Sequence, residues 1–121
     1  MKTTQRRAVI AYSTLTAMGQ RDLPTATALS LFRLRRALKE IVDFQSEQEQ
    51  KLAKKLGVTI SEQGVFQYPD AETRAKFAKE HDALVATECD VSADPVEVSI
   101  NEIDRLSMNE IESLDGFVTF K

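Results

Sequence analysis

The chain has 121 residues, of which 42% are hydrophobic and 29% are charged, and its net charge is −3 at pH 7. These values are typical of one soluble globular domain that buries a core without crosslinks, and they exclude a disordered chain. The single cysteine, Cys89, excludes an internal disulfide and the usual zinc cages. No apolar run approaches the roughly 18 residues of a membrane span. We therefore predict a cytoplasmic protein with no metal, no cofactor and no membrane partner.

The charge is divided unevenly along the chain. Residues 1–57 carry 11 Lys and Arg against 5 Asp and Glu, a net of +6, whereas residues 58–121 carry 5 against 14, a net of −9. This division can draw a polyanion to the basic half. It can equally make the halves of one chain, or of two chains, attract each other, and this second interpretation is favoured.

The first predicted helix covers residues 5–18, "QRRAVIAYSTLTAM". Its apolar residues recur at helical spacing, Thr4 is suited to cap its start, and Gly19 is suited to end it. Pro24 then suits the first turn of a second helix, where its missing N–H has no consequence.

The second predicted helix is long, because no Gly or Pro interrupts the chain from Thr25 to Leu56 and Gly57 stands where a C-terminal cap belongs. At 1.5 Å per residue it would be roughly 48 Å long. Residues at near-heptad spacing along it are first apolar, then polar at Gln45 and Gln48, and then apolar again. They are Leu31, Leu34, Leu38, Ile41, Gln45, Gln48 and Leu52. The pattern fits packing within one chain or a coiled-coil dimer, and the interruption favours the former.

Two β-prone runs, 58–60 and 65–67, flank the turn "SEQG" and predict a hairpin at 58–68. Asp70 caps a third predicted helix over residues 71–88, "AETRAKFAKEHDALVATE".

In the C-terminal part, Val96, Val98 and Ile100 alternate as in a strand. "SMNE", residues 107–110, has the pattern of a capping box that opens a short helix, Gly116 closes it, and "FVTFK" ends the chain as a strand.

These elements predict an α+β, mainly helical fold. The long second helix would lie at the centre of a helical hairpin or three-helix body, with a small, mostly antiparallel sheet and a short C-terminal helix. We predict one domain over residues 1–121, with a helical body at about 4–89 and a strand–helix–strand segment at 91–121.

The stretch "LFRLRRALK" supplies the candidate interaction surface, Arg33, Arg35, Arg36 and Lys39. We expect Arg35, Arg36 and Lys39 to point away from the apolar residues of the second helix, with Arg36 paired to Glu40 and Lys39 to Asp43. Such exposed pairs contribute about 0.3–0.5 kcal/mol each. These partly neutralised cations predict a modest basic patch on the solvent-exposed side of a helix.

A DNA-binding function is the alternative, because residues 15–36 loosely resemble a helix-turn-helix. A recognition helix is short and presents its N-terminal residues to the bases, whereas these arginines lie in the middle of a long helix. The chain is also acidic overall and has no Trp. Nucleic acid is therefore an unfavoured but open partner.

No catalytic site is predicted. His81 and Cys89 would lie about 80° apart around the third helix at 100° per residue, and no third group is available to orient them. Asp90, Asp94 and Glu97 resemble a calcium loop only faintly, because Pro95 stands where that loop needs glycine and Asn101 where it needs glutamate. We expect a non-enzymatic protein.

The block "DLPTATALSLFRLRRALKEIVDFQSEQEQKLAKKLG", the helix "FQYPDAETRAKFAKEHDALVATECDV" and the acidic tail "VEVSINEIDRLSMNEIESLDGFVTF" resemble an uncharacterised family of small proteins encoded by bacteriophages and prophages. The resemblance extends over nearly the whole chain and carries no catalytic motif. It implies an accessory or assembly role in a phage, in the cytoplasm or on the virion.

The expected function is therefore protein–protein binding, to a second copy of the chain or to a phage or host protein, with a DNA-binding regulator as the alternative. Self-association is favoured on three grounds. The charge is divided between the halves of the chain, the long helix has no partner of equal length, and the terminal "FVTF" strand would be an exposed edge if it were left unpaired.

Overall fold

The structure, a computed structural model, describes residues 1–121. Its helices are α1 (Gln5–Met18), α2 (Thr25–Leu56), α3 (Ala71–Ala86), α4 (Met108–Ser113) and a 3₁₀ turn at Ile100–Glu102. Its strands are β1 (Lys2–Thr4), β2 (Thr59–Ile60), β3 (Phe66–Gln67), β4 (Glu88–Asp90), β5 (Val96–Val98) and β6 (Val118–Phe120). The predicted α+β, mainly helical class is confirmed.

The first two helices form a helical hairpin with the predicted bounds. The Thr4 hydroxyl accepts a hydrogen bond from the Arg7 N–H at the start of α1. Gly57 ends α2 in the left-handed conformation at φ 71°, which glycine adopts without a Cβ penalty, and its N–H donates to the Ala53 carbonyl. Pro24 lies just before α2 rather than within its first turn.

The heptad pattern of α2 is the buried side of that helix. Its buried members lie in the expected order: Leu31, Leu34, Leu38, Ile41 and Gln45. The Gln45 amide oxygen Oε1 is buried without a hydrogen-bond partner, which disfavours the folded state at this position. Intrachain packing thus accounts for the pattern, because α1 lies against the same side of α2.

The third helix packs antiparallel on the C-terminal part of α2. Lys55 Nζ lies 3.4 Å from Glu80 Oε1, and a small buried cluster of Ala53, Val58 and Phe77 joins α2, α3 and the β2–β3 hairpin. Helices α1 and α3 therefore share the length of α2. The long helix does have partners within the chain, which removes one ground for expecting self-association.

The predicted end of the third helix is wrong. Helix α3 stops at Ala86, and Glu88–Asp90 instead form β4, which pairs antiparallel with the unpredicted strand β1. The Gln5 N–H donates to the Thr87 carbonyl over 3.0 Å, and the N-terminal ammonium donates to the Val91 carbonyl over 2.9 Å. These long-range hydrogen bonds outweigh the local helical preference of residues 87 and 88.

The C-terminal part differs from the predicted sheet in its pairing. Strands β5 and β6 pair in parallel, so the chain has three separate two-stranded ladders, two of them antiparallel. The capping box is confirmed, with Ser107 and Glu110 bonded reciprocally at the start of α4. The predicted strand position Ile100 is wrong, because it begins the 3₁₀ turn and is exposed.

The principal core joins the helical hairpin to the C-terminal elements. It contains Ala8, Ala11, Leu15, Met18, Leu31, Leu34, Leu38, Ile41, Val91, Val98, Ile103, Leu114, Phe117 and Val118. The "FVTF" segment takes part through the buried Phe117 and Val118, and β6 is paired with β5. The terminal strand therefore has a partner within the chain, which removes the second ground for self-association.

Candidate protein-binding surface

The candidate residues lie close together on α2, because side chains three and four positions apart on a helix are neighbours. We call Arg33, Arg35, Arg36 and Lys39, together with Leu29 and Phe32, the basic face. Lys39 pairs with Asp43, with 2.8 Å between Nζ and Oδ2, and this hydrogen bond, followed by the charge of Asp43, raises the pKa of Lys39. The predicted pair of Arg36 with Glu40 is wrong. The three arginines have no carboxylate partner.

The basic face also presents apolar surface. Leu29 and Phe32 are 44% and 47% exposed, although side chains of this size usually lie inside a domain. The Arg35 guanidinium carbon is 5.9 Å from the centroid of the Phe32 ring, within the range of a cation–π contact. Cations and apolar side chains are thus interleaved on one helix surface.

Arg35 does not point away from the core as predicted. It is half-buried and lines a cleft between the end of α1 and the start of α2. The cleft has a volume of about 170 Å³, and we call it the Arg35 cleft. Its lining is mainly apolar: Leu15, Met18, Gly19, Arg21, Leu23, Ala28, Leu31, Phe32 and Arg35. Binding sites for drug-sized ligands measure about 300–1,000 Å³, so this cleft has room for a single side chain.

Gly19 lies beside Arg35 in the lining of the cleft. A Cβ atom at position 19 would lie 3.1 Å from the Thr16 carbonyl oxygen and 3.4 Å from Arg35 Nη1. The first distance is tight for a carbon atom, whereas the second is an ordinary van der Waals contact. The backbone of Gly19 is right-handed, with φ −61°, so its conformation does not require glycine, and the tight approach is to the Thr16 carbonyl.

Arg21 joins the cleft to α4. Its Nη2 atom donates to both Glu110 carboxylate oxygens, at 2.8 and 2.6 Å, and its Nη1 atom donates to the Arg105 carbonyl. The backbone hydrogen bond at Ser107, followed by the hydrogen bond and charge of Arg21, lowers the pKa of Glu110 against the opposing effect of desolvation. The short helix α4 is therefore held beside the Arg35 cleft by a charged bidentate contact.

The geometry at the start of α2 differs from that of a helix-turn-helix. A recognition helix presents its N-terminal residues to base edges. Here Thr27 is buried in the first turn of α2, and its hydroxyl donates to Glu102. The C-terminal part of the chain therefore covers the Thr27 side of the first turn of α2, while Thr25, Ala26 and Ala28 remain exposed.

His81 and Cys89 belong to different elements. His81 is a half-buried residue of α3, with Nε2 2.6 Å from Glu49 Oε2 and its ring stacked on Phe77 at 5.6 Å between centroids. Cys89 lies in β4 rather than on the helix assumed above, and it makes no hydrogen bond with His81. Burial, followed by the charge of Asp90, raises the pKa of the Cys89 thiol, so at neutral pH it is protonated and a poor nucleophile.

Two of the three carboxylates that faintly resembled a calcium loop have cationic partners. Glu97 Oε1 lies 2.7 Å from Lys121 Nζ, and Asp90 Oδ1 lies 3.6 Å from the N-terminal ammonium. No three His, Cys, Asp or Glu side chains form a group that could hold a metal ion.

Comparison of the chain with protein-family models, with curated proteins and with solved structures finds no match. None of the four helices combines the length and the apolar character that crossing a membrane requires.

Proposed function

We propose that the chain is a non-enzymatic, phage-derived accessory or assembly protein that acts by binding protein, and that the basic face is its binding surface. The observation that carries the proposal is the group of three arginines without carboxylate partners beside the exposed Leu29 and Phe32. It would work in the host cytoplasm or on the virion, as the resemblance to small phage proteins implies.

The chemistry of the basic face favours a protein partner. Arginine and aromatic side chains are enriched where proteins bind each other, because both offer a large contact area and a polar group on one side chain. Each arginine can bind a carboxylate with two parallel hydrogen bonds. The expected partner surface is therefore acidic and carries an exposed apolar side chain that fits the Arg35 cleft.

The test is a selection of binders from a displayed library of short random peptides on the immobilised protein. We expect enrichment of peptides in which Asp or Glu flanks Leu, Met or an aromatic residue. Replacing Arg33 and Arg36 together by Glu should weaken the enriched peptides at least about tenfold, which corresponds to about 1.4 kcal/mol. The matched control replaces Lys51 and Lys54, which are exposed cations at the other end of α2, by Glu, and it should bind as the wild type does.

Two results would refute the proposal. One is that no peptide is enriched above the background of the support when the immobilised protein is monomeric. The other is that the enriched peptides bind the Arg33→Glu, Arg36→Glu protein as tightly as the wild type, while circular dichroism shows both proteins folded.

The alternative is a DNA-binding regulator that uses the same arginines, because unpaired cations on a helix also attract phosphate. We expect no tight complex with duplex or single-stranded DNA at about 50 mM salt, where counterion release most favours binding. A complex that weakens steeply with salt and disappears on Arg35→Glu with Arg36→Glu would make the regulator the leading function. Fluorescence anisotropy of labelled DNA measures it.

A further inference from the structure

A second surface of the chain is the chemical counterpart of the basic face. Met108 in α4 is 86% exposed, and Ile111, three positions on, lies on the same side of that helix. Asp104 and Glu112 flank these two residues, are exposed, and have no ion-pair partner. We call Asp104, Met108, Ile111 and Glu112 the acidic face.

The two faces complement each other in charge and in shape. The basic face has unpaired arginines beside an apolar cleft, and the acidic face has unpaired carboxylates beside a projecting apolar side chain. Methionine is unbranched and flexible, and it fills irregular apolar spaces well. A cleft of about 170 Å³ with room for one side chain suits it. Met108 is the most exposed large hydrophobic residue of the chain, so it is available to enter such a cleft on another copy.

Both faces lie at the same end of the molecule. Arg21 lines the Arg35 cleft and also binds Glu110 in α4, so the two faces are neighbours. Met108 is nevertheless exposed, which means that it does not fill the cleft of its own chain. A surface that carries both members of a complementary pair can satisfy both at once around a twofold axis, which is the commonest arrangement of protein dimers.

We infer that a second copy of this chain is a partner of the basic face. In the dimer, Met108 of each copy enters the Arg35 cleft of the other, and Asp104 and Glu112 face Arg35 and Arg36. This inference rests on the proposed function and names its partner. Of the three sequence-based grounds for self-association, the inferred dimer depends only on the division of charge. The basic face and the acidic face are where that division lies on the surface.

Sedimentation equilibrium at tens of micromolar tests the dimer. We expect a dimer at about 50 mM salt that loosens at about 0.5 M, where screening is several times shorter in range. Met108→Ala should weaken dimerisation at least about tenfold, because it removes the side chain that fills the cleft and leaves the charges of both faces unchanged. Val65→Ala is the matched control, since Val65 is also exposed, at 59%, but lies in the hairpin beyond the C-terminal end of α2.

A charge-exchange experiment tests the pairing of the faces. Arg36→Glu alone and Glu112→Arg alone should each dimerise at least about tenfold more weakly than wild type, because like charges then meet across the twofold axis. An equimolar mixture of the two variants should recover association. In the mixed dimer the glutamate introduced into one chain faces the arginine introduced into the other, and the native Arg36 and Glu112 that remain also face each other.

The inference is overturned by a wild-type monomer at both salt concentrations, by a dimer that Met108→Ala leaves unchanged, or by a variant mixture that associates no better than its components. The peptide selection separates this failure from failure of the proposed function. If the chain is monomeric and still binds acidic–apolar peptides through the basic face, the partner that occupies the Arg35 cleft is another protein. A monomer that binds no peptide refutes both proposals.

Discussion

Leu38→Ala is expected to lower the free energy of unfolding by about 2–5 kcal/mol, because it removes buried methyl groups and leaves a cavity that the surrounding helices only partly fill. Leu38 is fully buried in the middle of α2 and belongs to the core that joins the helical hairpin to the C-terminal elements. Neighbouring side chains from several elements fix the shape of this site, so collapse around a smaller residue is restricted.

Urea denaturation followed by circular dichroism measures this change, at a protein concentration low enough to keep the chain monomeric. Leu29→Ala is the matched control, because the same side chain is removed from the exposed side of the same helix. It should change stability by no more than about 0.5 kcal/mol. Equal midpoints for Leu38→Ala and Leu29→Ala would show that this side of α2 does not face the core.

Phe77→Ala is expected to cost about 3–5 kcal/mol and to act mainly at one end of the molecule. Phe77 is the largest member of the small cluster with Ala53 and Val58. Its ring centroid lies 4.7 Å from that of Phe66 and 5.6 Å from those of Tyr68 and His81. Since a two-stranded hairpin is marginal by itself, the β2–β3 hairpin depends on this contact.

Hydrogen exchange resolves where the Phe77 substitution acts. Amides of residues 58–68 should lose protection in Phe77→Ala, whereas amides in the middle of α1 should keep most of theirs, because the principal core does not contain Phe77. Phe44→Ala is the control, since Phe44 is an exposed aromatic residue of α2. Uniform loss of protection along the whole chain would mean that the two clusters unfold as one unit.

The local signals in the sequence were sufficient for most elements. Thr4 and Gly57 delimited their helices correctly, and Ser107 with Glu110 identified α4, because a cap satisfies backbone groups within a few residues of itself. The periodicity of α2 likewise predicted its buried side, since residues three and four apart must share a face. Such features depend on short-range geometry, which a single sequence carries in full.

The candidate site was predicted only in part. The sequence identified the four cations, but it placed Arg35 on the solvent side and paired Arg36 with Glu40. The half-buried position of Arg35 depends on how closely α1 approaches α2 at Gly19, and no local pattern determines that distance. The acidic face was missed, although the apolar Met108 within an acidic segment could have indicated it.

The sequence by itself determined the helices, their caps, the buried side of α2 and the division of charge, because each of these follows from residues close together in the chain. Only the tertiary structure decided the ends of the strands and the shape of the candidate binding surface. Residues 87 and 88 are not helical because the chain after α3 pairs with the distant segment Lys2–Thr4. Strand β6 pairs in parallel with β5. The Arg35 cleft exists for the same physical reason: it is enclosed by two helices and bordered by Arg21, whose partner Glu110 lies 89 residues away in the chain.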